Sequence, residues 1–543
     1  MAIDLSNLTF TDQGDAIPLF GVEEILDTDI ANTLAGDDII IGTKELTTHT
    51  PPQDIFSSIF NSGTLNTAEG NDIIMGTISG IRSPFPYYGI YNIGITYTGE
   101  GNDLIIGIDQ VGQGFDFHSG GIYVGQSTID TGEGNDIITG ISYGGHGINV
   151  HSGIINTGDD NDTITGTSIV NGIGIILFST NQIATGGIDT GKGDDIIIGT
   201  GSGNGLVTSS SVGITSSTVF LNTGEGNDII TGSTNKGGNG IGNYTAIIDT
   251  GEGNDTITGT SGNVDGVILE FTGVGITNTE SIYTGNGNDI ITAFASNAKL
   301  FSMGISNQGT IDTGNGDAII TATGTTYGIF NQGTINTGNN KDSIISQGNF
   351  WNSGVVFLGD GNDSITASII PDADLPTHAL ENSNTIDTGD GDDTITTTGV
   401  IYNTGFINTG NGNDYIEGID IAGTGYGIYN NGGAINMGDG NDSIIANGGF
   451  QSGLNNSGSV FLGDGEDYIK GFGSGDFYGG NGNDTLELTP GTYTVGIWGE
   501  GGESPIFTKG NQLMITSEFE KLKAGSTIYD FTSLTAGQII IVA

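Results

Sequence analysis

The sequence predicts an all-β protein, a right-handed parallel β-solenoid (β-roll or β-helix) closed by N- and C-terminal caps. Three observations carry that expectation. The phrase Asp130-Thr131-Gly132-Glu133-Gly134-Asn135-Asp136-Ile137-Ile138-Thr139-Gly140 returns, with small changes, along most of the 543 residues. Glycine accounts for 100 of those residues, nearly a fifth, against a usual share of about 7%. Isoleucine recurs in register with the phrase, so an apolar column can form despite a formal net charge of −53. Self-similarity of this kind marks a stacked array.

Aligned on the last aspartate of the phrase, the copies fall at Asp38, Asp72, Asp103, Asp136, Asp162, Asp195, Asp228, Asp255, Asp289, Ala318, Asp342, Asp363, Asp393, Asp414, Asp442, Asp467 and Asp484. Sixteen of these 17 slots hold aspartate, and at Ala318 the carboxylate of Asp317 sits one place early. Glycine stands two residues before the slot in 15 copies, and isoleucine two residues after it in 16, with Leu486 in the last.

Residues 1–30 form an acidic leader, read as an N-terminal cap because the end of a stacked array needs one. Residues 31–488 are the array, with slots 17 to 34 residues apart. Seven residues before each slot lies a second apolar position, as in Leu65, Ile129, Ile188, Ile311 and Ile407, broken by Thr96. Nine before it stands glycine in 11 copies, often with asparagine two residues earlier, as at Asn61, Asn92, Asn307, Asn331, Asn352 and Asn403. Each unit thus holds two nine-residue halves, x-Asn-x-Gly-x-Ile-x and Thr-Gly-x-Gly-Asn-Asp-x-Ile-x. Each half reads as a turn, for which glycine supplies positive φ, followed by a short strand pointing one branched side chain inward. A small residue four places after the aspartate points to a thin interior. The inserts are variable, and Gly-Ile-x-Asn phrases such as Gly328-Ile329-Phe330-Asn331 suggest a third short strand. In residues 489–543 the glycine thins, and three of the ten basic residues fall here; Tyr493–Trp498 and Leu513–Thr516 read as strands of a C-terminal cap that also suits an export signal.

The composition excludes several classes. An acidic excess of this size argues against nucleic acid and anionic lipid as partners and favours cations. No run of 18 apolar residues exists, so no membrane span is expected. The first ten residues lack the basic and apolar regions of a secretory signal peptide. With no cysteine in the chain, disulfides and thiolate metal sites are impossible.

A carboxylate beside glycine-turn carbonyls is a hard, all-oxygen donor set, and two stacked turns together approach the roughly 6–8 oxygens that Ca²⁺ takes. The sixteen slot aspartates are therefore the candidate metal ligands, with up to about 16 Ca²⁺ held in a file between successive turns. Sixteen such ions, 32 positive charges, would bring the net charge from −53 to −21, which couples folding to the metal. Mg²⁺ fits less well, because it keeps its waters and demands octahedral geometry. Ala318 and Asp342 are doubtful sites, the second because Asn340 and Lys341 precede it.

The stretch Gly479-Gly480-Asn481-Gly482-Asn483-Asp484-Thr485-Leu486-Glu487 resembles the nonapeptide Gly-Gly-x-Gly-x-Asp-x-(apolar)-x of the RTX, or haemolysin-type, calcium-binding repeat proteins. The resemblance covers about residues 32–488, and the end, Phe519 to Ala543, is similar to the ends of cyanobacterial members. It implies Ca²⁺ in the turns and type I export through an uncleaved C-terminal signal, with folding outside the cell or at its surface. This chain departs from the family in carrying Asn-x-Gly in the second half of each coil, so ions are expected along one edge only.

The first functional expectation is an extracellular, calcium-stabilised surface-layer, matrix or adhesion protein, not an enzyme, with cell-surface polysaccharide or like solenoids as partners. A polysaccharide lyase or epimerase on a β-helix is the second. Its candidate groups are the five histidines, His49, His118, His146, His151 and His378, and the phrase Gly114-Phe115-Asp116-Phe117-His118, which resembles an epimerase motif. Ice binding is the third, and it is disfavoured because the outward turn position holds Glu100, Glu133, Lys192 or Glu225 rather than threonine.

Overall fold

A computed structural model describes the chain except for residues 1, 18–23, 28, 47–54, 81–85, 112–118, 171, 180–185, 211–218, 263–272, 297–300, 370–377, 422, 424, 453–457 and 499–503. His49, His118 and the Gly114–His118 phrase lie outside the described residues. The protein is all-β, a parallel β-solenoid, and its chain divides into two compact units, Met1–Ser302 and Met303–Ala543.

In the first unit each full coil contributes three strands, shown by Ile137–Ser142, His146–His151 and Ile154–Asn156. The third strand hinted at by Gly-Ile-x-Asn is thus real, and the strands gather in two sheets, the first and second of each coil in one and the third in the other. Each strand pairs in parallel with its counterpart one coil on, in a register that keeps like over like. The first column runs Ile105, Ile138, Ile164, Ile197, Ile230, Ile257, Ile291. The second runs Ile59, Ile90, Ile122, Ile148, Ile175, Leu206, Ile241, Ile276. The third runs Leu65, Thr96, Ile129, Ile155, Ile188, Leu221, Ile248, Ile282. All of these side chains are buried, each stabilising the fold by up to about 1.5–3 kcal/mol. Thr96 is tolerated in its column because its hydroxyl is satisfied: it accepts from the Asn61 amide at 3.1 Å and donates to Asn92 Oδ1 at 3.2 Å.

The interior is as thin as the small residues suggest. A Cβ at Gly140 would overlap the Gly147 carbonyl oxygen on the next strand of its own coil. The turn glycines are required twice over. Gly132 has φ +90°, and a Cβ there would also overlap the Gly99 carbonyl oxygen of the coil below.

The second unit repeats this plan. Its first column runs Ile320, Ile344, Ile365, Ile395, Ile416, Ile444, Ile469 and Leu486. A buried asparagine ladder lines the corner before the third strand. Nδ2 of Asn307 donates to Oδ1 of Asn331, and so on through Asn352, Asn382, Asn403 and Asn430 at 2.8–3.0 Å. The second strand disappears after Phe450–Gln451, and the last coil, Tyr468–Lys470 to Gly475–Gly482, is two-stranded. Beyond it, Gly491–Trp498, Ser504–Lys509 and Gln512–Ser517 form an antiparallel meander, and Ile539–Val542 pairs antiparallel with the first of them.

Candidate metal centre

Both residues that alternate apolar and polar around the turn have fixed places. In the first unit, Asp136 is fully buried while Asn135 and Glu133 face solvent. The inward carboxylate is held by the coil before it. The main-chain N–H of Asp103 donates to Oδ1 of Asp136, that of Asp136 to Asp162, and that of Asp162 to Asp195. The same bond recurs at 2.6–2.8 Å through Asp38, Asp72, Asp228, Asp255 and Asp289. In the second unit it joins Ala318 to Asp342 and runs on through Asp363, Asp393, Asp414, Asp442, Asp467 and Asp484 at 2.7–2.9 Å. These sixteen aspartates are therefore one equivalent set of inward carboxylates. Asp342 is geometrically ordinary despite its unusual neighbours, and Ala318 supplies an N–H but no carboxylate.

A second ladder runs along the outside of the same turns in the opposite sense. The N–H of Asn135 donates back to Oδ1 of Asn102 at 2.8 Å, and Asn161, Asp194, Asn227, Asn254 and Asn288 continue the series. Asp317 belongs to this outer row, accepting from the N–H of Lys341 at 3.1 Å.

The inner carboxylates use one oxygen each. Oδ2 of Asp38, Asp72, Asp103, Asp136, Asp162, Asp195, Asp228, Asp255, Asp342, Asp363, Asp393, Asp414, Asp442, Asp467 and Asp484 is buried without a hydrogen-bond partner. At Asp289 the Thr284 hydroxyl donates to Oδ2 at 2.6 Å, and in most other turns the threonine five residues before the slot, such as Thr131, Thr157 or Thr388, lies close enough to its carboxyl to lower the pKa. Burial disfavours the charged form and pushes the carboxyl of Asp136 up to about 7 and those of Asp162 and Asp393 to about 8. The hydroxyl of Thr157 or Thr388 and the N–H from the coil before oppose the shift, and neighbouring ladder carboxylates add to it.

Two members of the inner row escape the repeat pattern. Asp15 donates its N–H to Asp38 Oδ1 at 2.6 Å, and Ala16–Ile17 pairs in parallel with the strand that follows Asp38. At the other end Glu520 Oε2 accepts from the Asp484 N–H at 2.8 Å, and Leu522 continues the column above Leu486. Glu518, two residues earlier, has φ +60°, the conformation that glycine supplies in the regular turns. Thr11-Asp12-Gln13-Gly14-Asp15 is one residue short of the phrase, and Ser517-Glu518-Phe519-Glu520 has no glycine at all. Only the apolar residue two places on, Ile17 or Leu522, could have marked them.

The residues fit a hard cation. Fifteen of the 17 turns offer a buried carboxylate oxygen without a hydrogen-bond partner, the turn glycine carbonyls lie against the next coil's glycines, and no thiolate or basic side chain enters the row. The carbonyl between the two glycines is already used, as where Gly101 N–H donates to Glu133 at 2.8 Å. Among the described residues no three His, Asp or Glu side chains gather at one point. His378 pairs with Glu381 at 3.8 Å and stacks on Tyr402, and His146 is buried in its coil. The site thus defines a class, a parallel β-solenoid with a buried aspartate ladder along one edge. No family model matches the chain, and no curated protein matches it.

Proposed function

We propose that the chain is a calcium-binding repeat protein of the RTX type, with a structural role in a surface layer, matrix or adhesive coat outside the cell. The observation that carries this reading is the row of buried Oδ2 atoms without partners in coil after coil. An unpaired buried carboxylate is costly unless a cation or a proton satisfies it. A chain with 63 acidic and 10 basic residues has too few side-chain cations to do so. Ca²⁺ is the ion that such oxygen-only donors suit. The slot aspartates would hold it with turn carbonyls, and the bound ion would supply the counter-charge that lets the turns close at neutral pH. Secretion by a type I route fits a chain whose folding waits for millimolar external calcium. No helix among the described residues is long and apolar enough to cross a membrane.

Metal analysis after equilibrium dialysis tests the reading. Dialysis against Ca²⁺ should leave on the order of ten ions per chain, with Mg²⁺ retained far more weakly. Retention of fewer than two calcium ions would overturn it.

A further inference from the structure

Seven described residues other than glycine have positive φ. Five stand where the metal turn requires it: Leu34, Ala68, Asp160, Asn340 and Glu518. The remaining two, Gln126 (φ 49°) and Ser152 (φ 57°), lie side by side at the opposite corner of the first unit. There Gln126 N–H donates to the His151 carbonyl at 3.0 Å, and Gly125 bridges to Ser152.

The repeat rule fails at that same corner. The ladder position held by Asn61 and Asn92 passes to Val124, Val150 and Leu177, then to Thr208, whose hydroxyl donates to Asn243 Oδ1 at 2.8 Å, before Asn243 and Asn278 resume it. Val124, Val150 and Leu177 are buried and apolar, so the ladder is cut there, and Asn92 Nδ2 turns to Ser127 Oγ at 3.3 Å. One extra residue follows Val124 and Val150 compared with Asn92, which widens the corner. The corner carries an open surface hollow of about 360 Å³ lined, among the described residues, by Ile93, Tyr123, Gly125, Gln126 and His151.

Its chemistry is uncommon for this chain. A phenol, an imidazole and an exposed primary amide line it beside an exposed aliphatic side chain, and among the described residues neither a carboxylate nor an ammonium does. Tyr123 Oη and His151 Nδ1 are hydrogen-bonded at 3.0 Å. Burial pushes the phenol up to about 12, so it stays neutral. The Tyr123 ring stacks on Tyr91 at 4.7 Å and meets the His151 ring edge-on, which fixes both lining rings. Backbone strain kept at a cavity whose lining departs from the repeat is the expected signature of a site rather than of packing.

We propose that this corner binds an uncharged hydroxylated ring of hexopyranoside size. Its volume lies within the usual small-ligand range of about 300–1,000 Å³. Neutral donors and acceptors suit vicinal hydroxyls, Ile93 offers an apolar surface for the ring's C–H face, and an anionic sugar would meet an acidic molecule with no cation among the described lining residues. The calcium reading is not required for this site.

The probes are the methyl glycosides of glucose, mannose and galactose, with methyl glucuronoside as the charged control. Saturation-transfer NMR on the full, calcium-loaded chain should show at least one neutral glycoside binding with Kd of about 1 mM or tighter, and shifted His151 ring resonances. Gln126→Gly removes the amide and relieves the strained φ, so it should weaken binding about tenfold while the melting temperature stays level or rises. Tyr123→Phe should also weaken binding, by loss of its hydroxyl. Absence of binding by all three neutral glycosides overturns the proposal, as does unchanged affinity in both variants.

Discussion

Asp194 and Asp195 are neighbours in sequence and opposites in chemistry. Asp194 faces solvent and accepts from the Asn227 main-chain N–H and side-chain amide, which hold its carboxyl below the ordinary value. Asp195 faces inward, and burial pushes it up to about 6. Asp392 and Asp393 repeat the contrast, the second reaching about 8. For the metal-free chain the sign follows directly. Inner carboxyls whose folded values lie above the ordinary 3.8 bind more protons folded than unfolded between about pH 4 and 8. The stability they contribute is present at the acid end of that window and lost as pH rises through it. Metal-free protein should therefore melt higher at pH 5 than at pH 8 in a circular dichroism melt, and equal or reversed values would contradict the assignment. Substitution separates the ladder's two roles. Asp228→Asn keeps an oxygen for the Asp195 N–H and removes the charge, so the metal-free melt at pH 8 should rise while calcium stoichiometry falls by one or two ions. Asp228→Ala leaves that N–H buried and unpaired, at about 1–3 kcal/mol, and should lower both. The aspartate spacing was legible in the sequence because the turn is local and strict. The opposed directions of the two ladders were not, since both rows look like the same Asn-Asp pair until the coils are stacked.

At the scale of the turn and its strands, glycine and isoleucine have separate tasks. Gly253 has φ +147°, and a Cβ there would overlap the carbonyl oxygen of Gly226. Gly253→Ala should destabilise by about 3 kcal/mol or more, adding overpacking to an unfavourable backbone conformation. Hydrogen exchange should locate the opening in the coils carrying Gly226 and Gly253, whereas Glu252→Ala, an exposed change in the same turn, should stay within about 0.5 kcal/mol. Full protection in the Gly253 variant would mean the turns are not stacked in this register. The sequence gives two strands of each coil directly, because both contain a fixed apolar position. The second strand was visible only as the phrase Gly-Ile-x-Asn, since its length and its distance from the turn vary. The end coils were hidden for a different reason: Asp15 and Glu520 keep the place of the ladder carboxylate without the glycine frame. Glu520→Ala should fray the strand Lys521–Ala524 from Thr485–Leu488, read as faster exchange at the Asp484 amide.

For the molecule as a whole the dominant quantity is charge. A net −53 carried largely on turns that stack about 4.8 Å apart opposes the compact state unless counter-ions join it. The apolar columns and the hydrogen-bonded ladders favour the coils, and the unpaired carboxylates resist them. Both compact units contain such a ladder, so calcium is expected to order each. The most direct test is a far-ultraviolet circular dichroism titration of metal-free protein with Ca²⁺ at neutral pH, with Mg²⁺ as the control. The account predicts a chain only partly folded without calcium that gains β-structure cooperatively with a midpoint on the order of 10⁻⁴–10⁻³ M, and little response to Mg²⁺. A chain already fully β without calcium, and unchanged by it, would contradict the account.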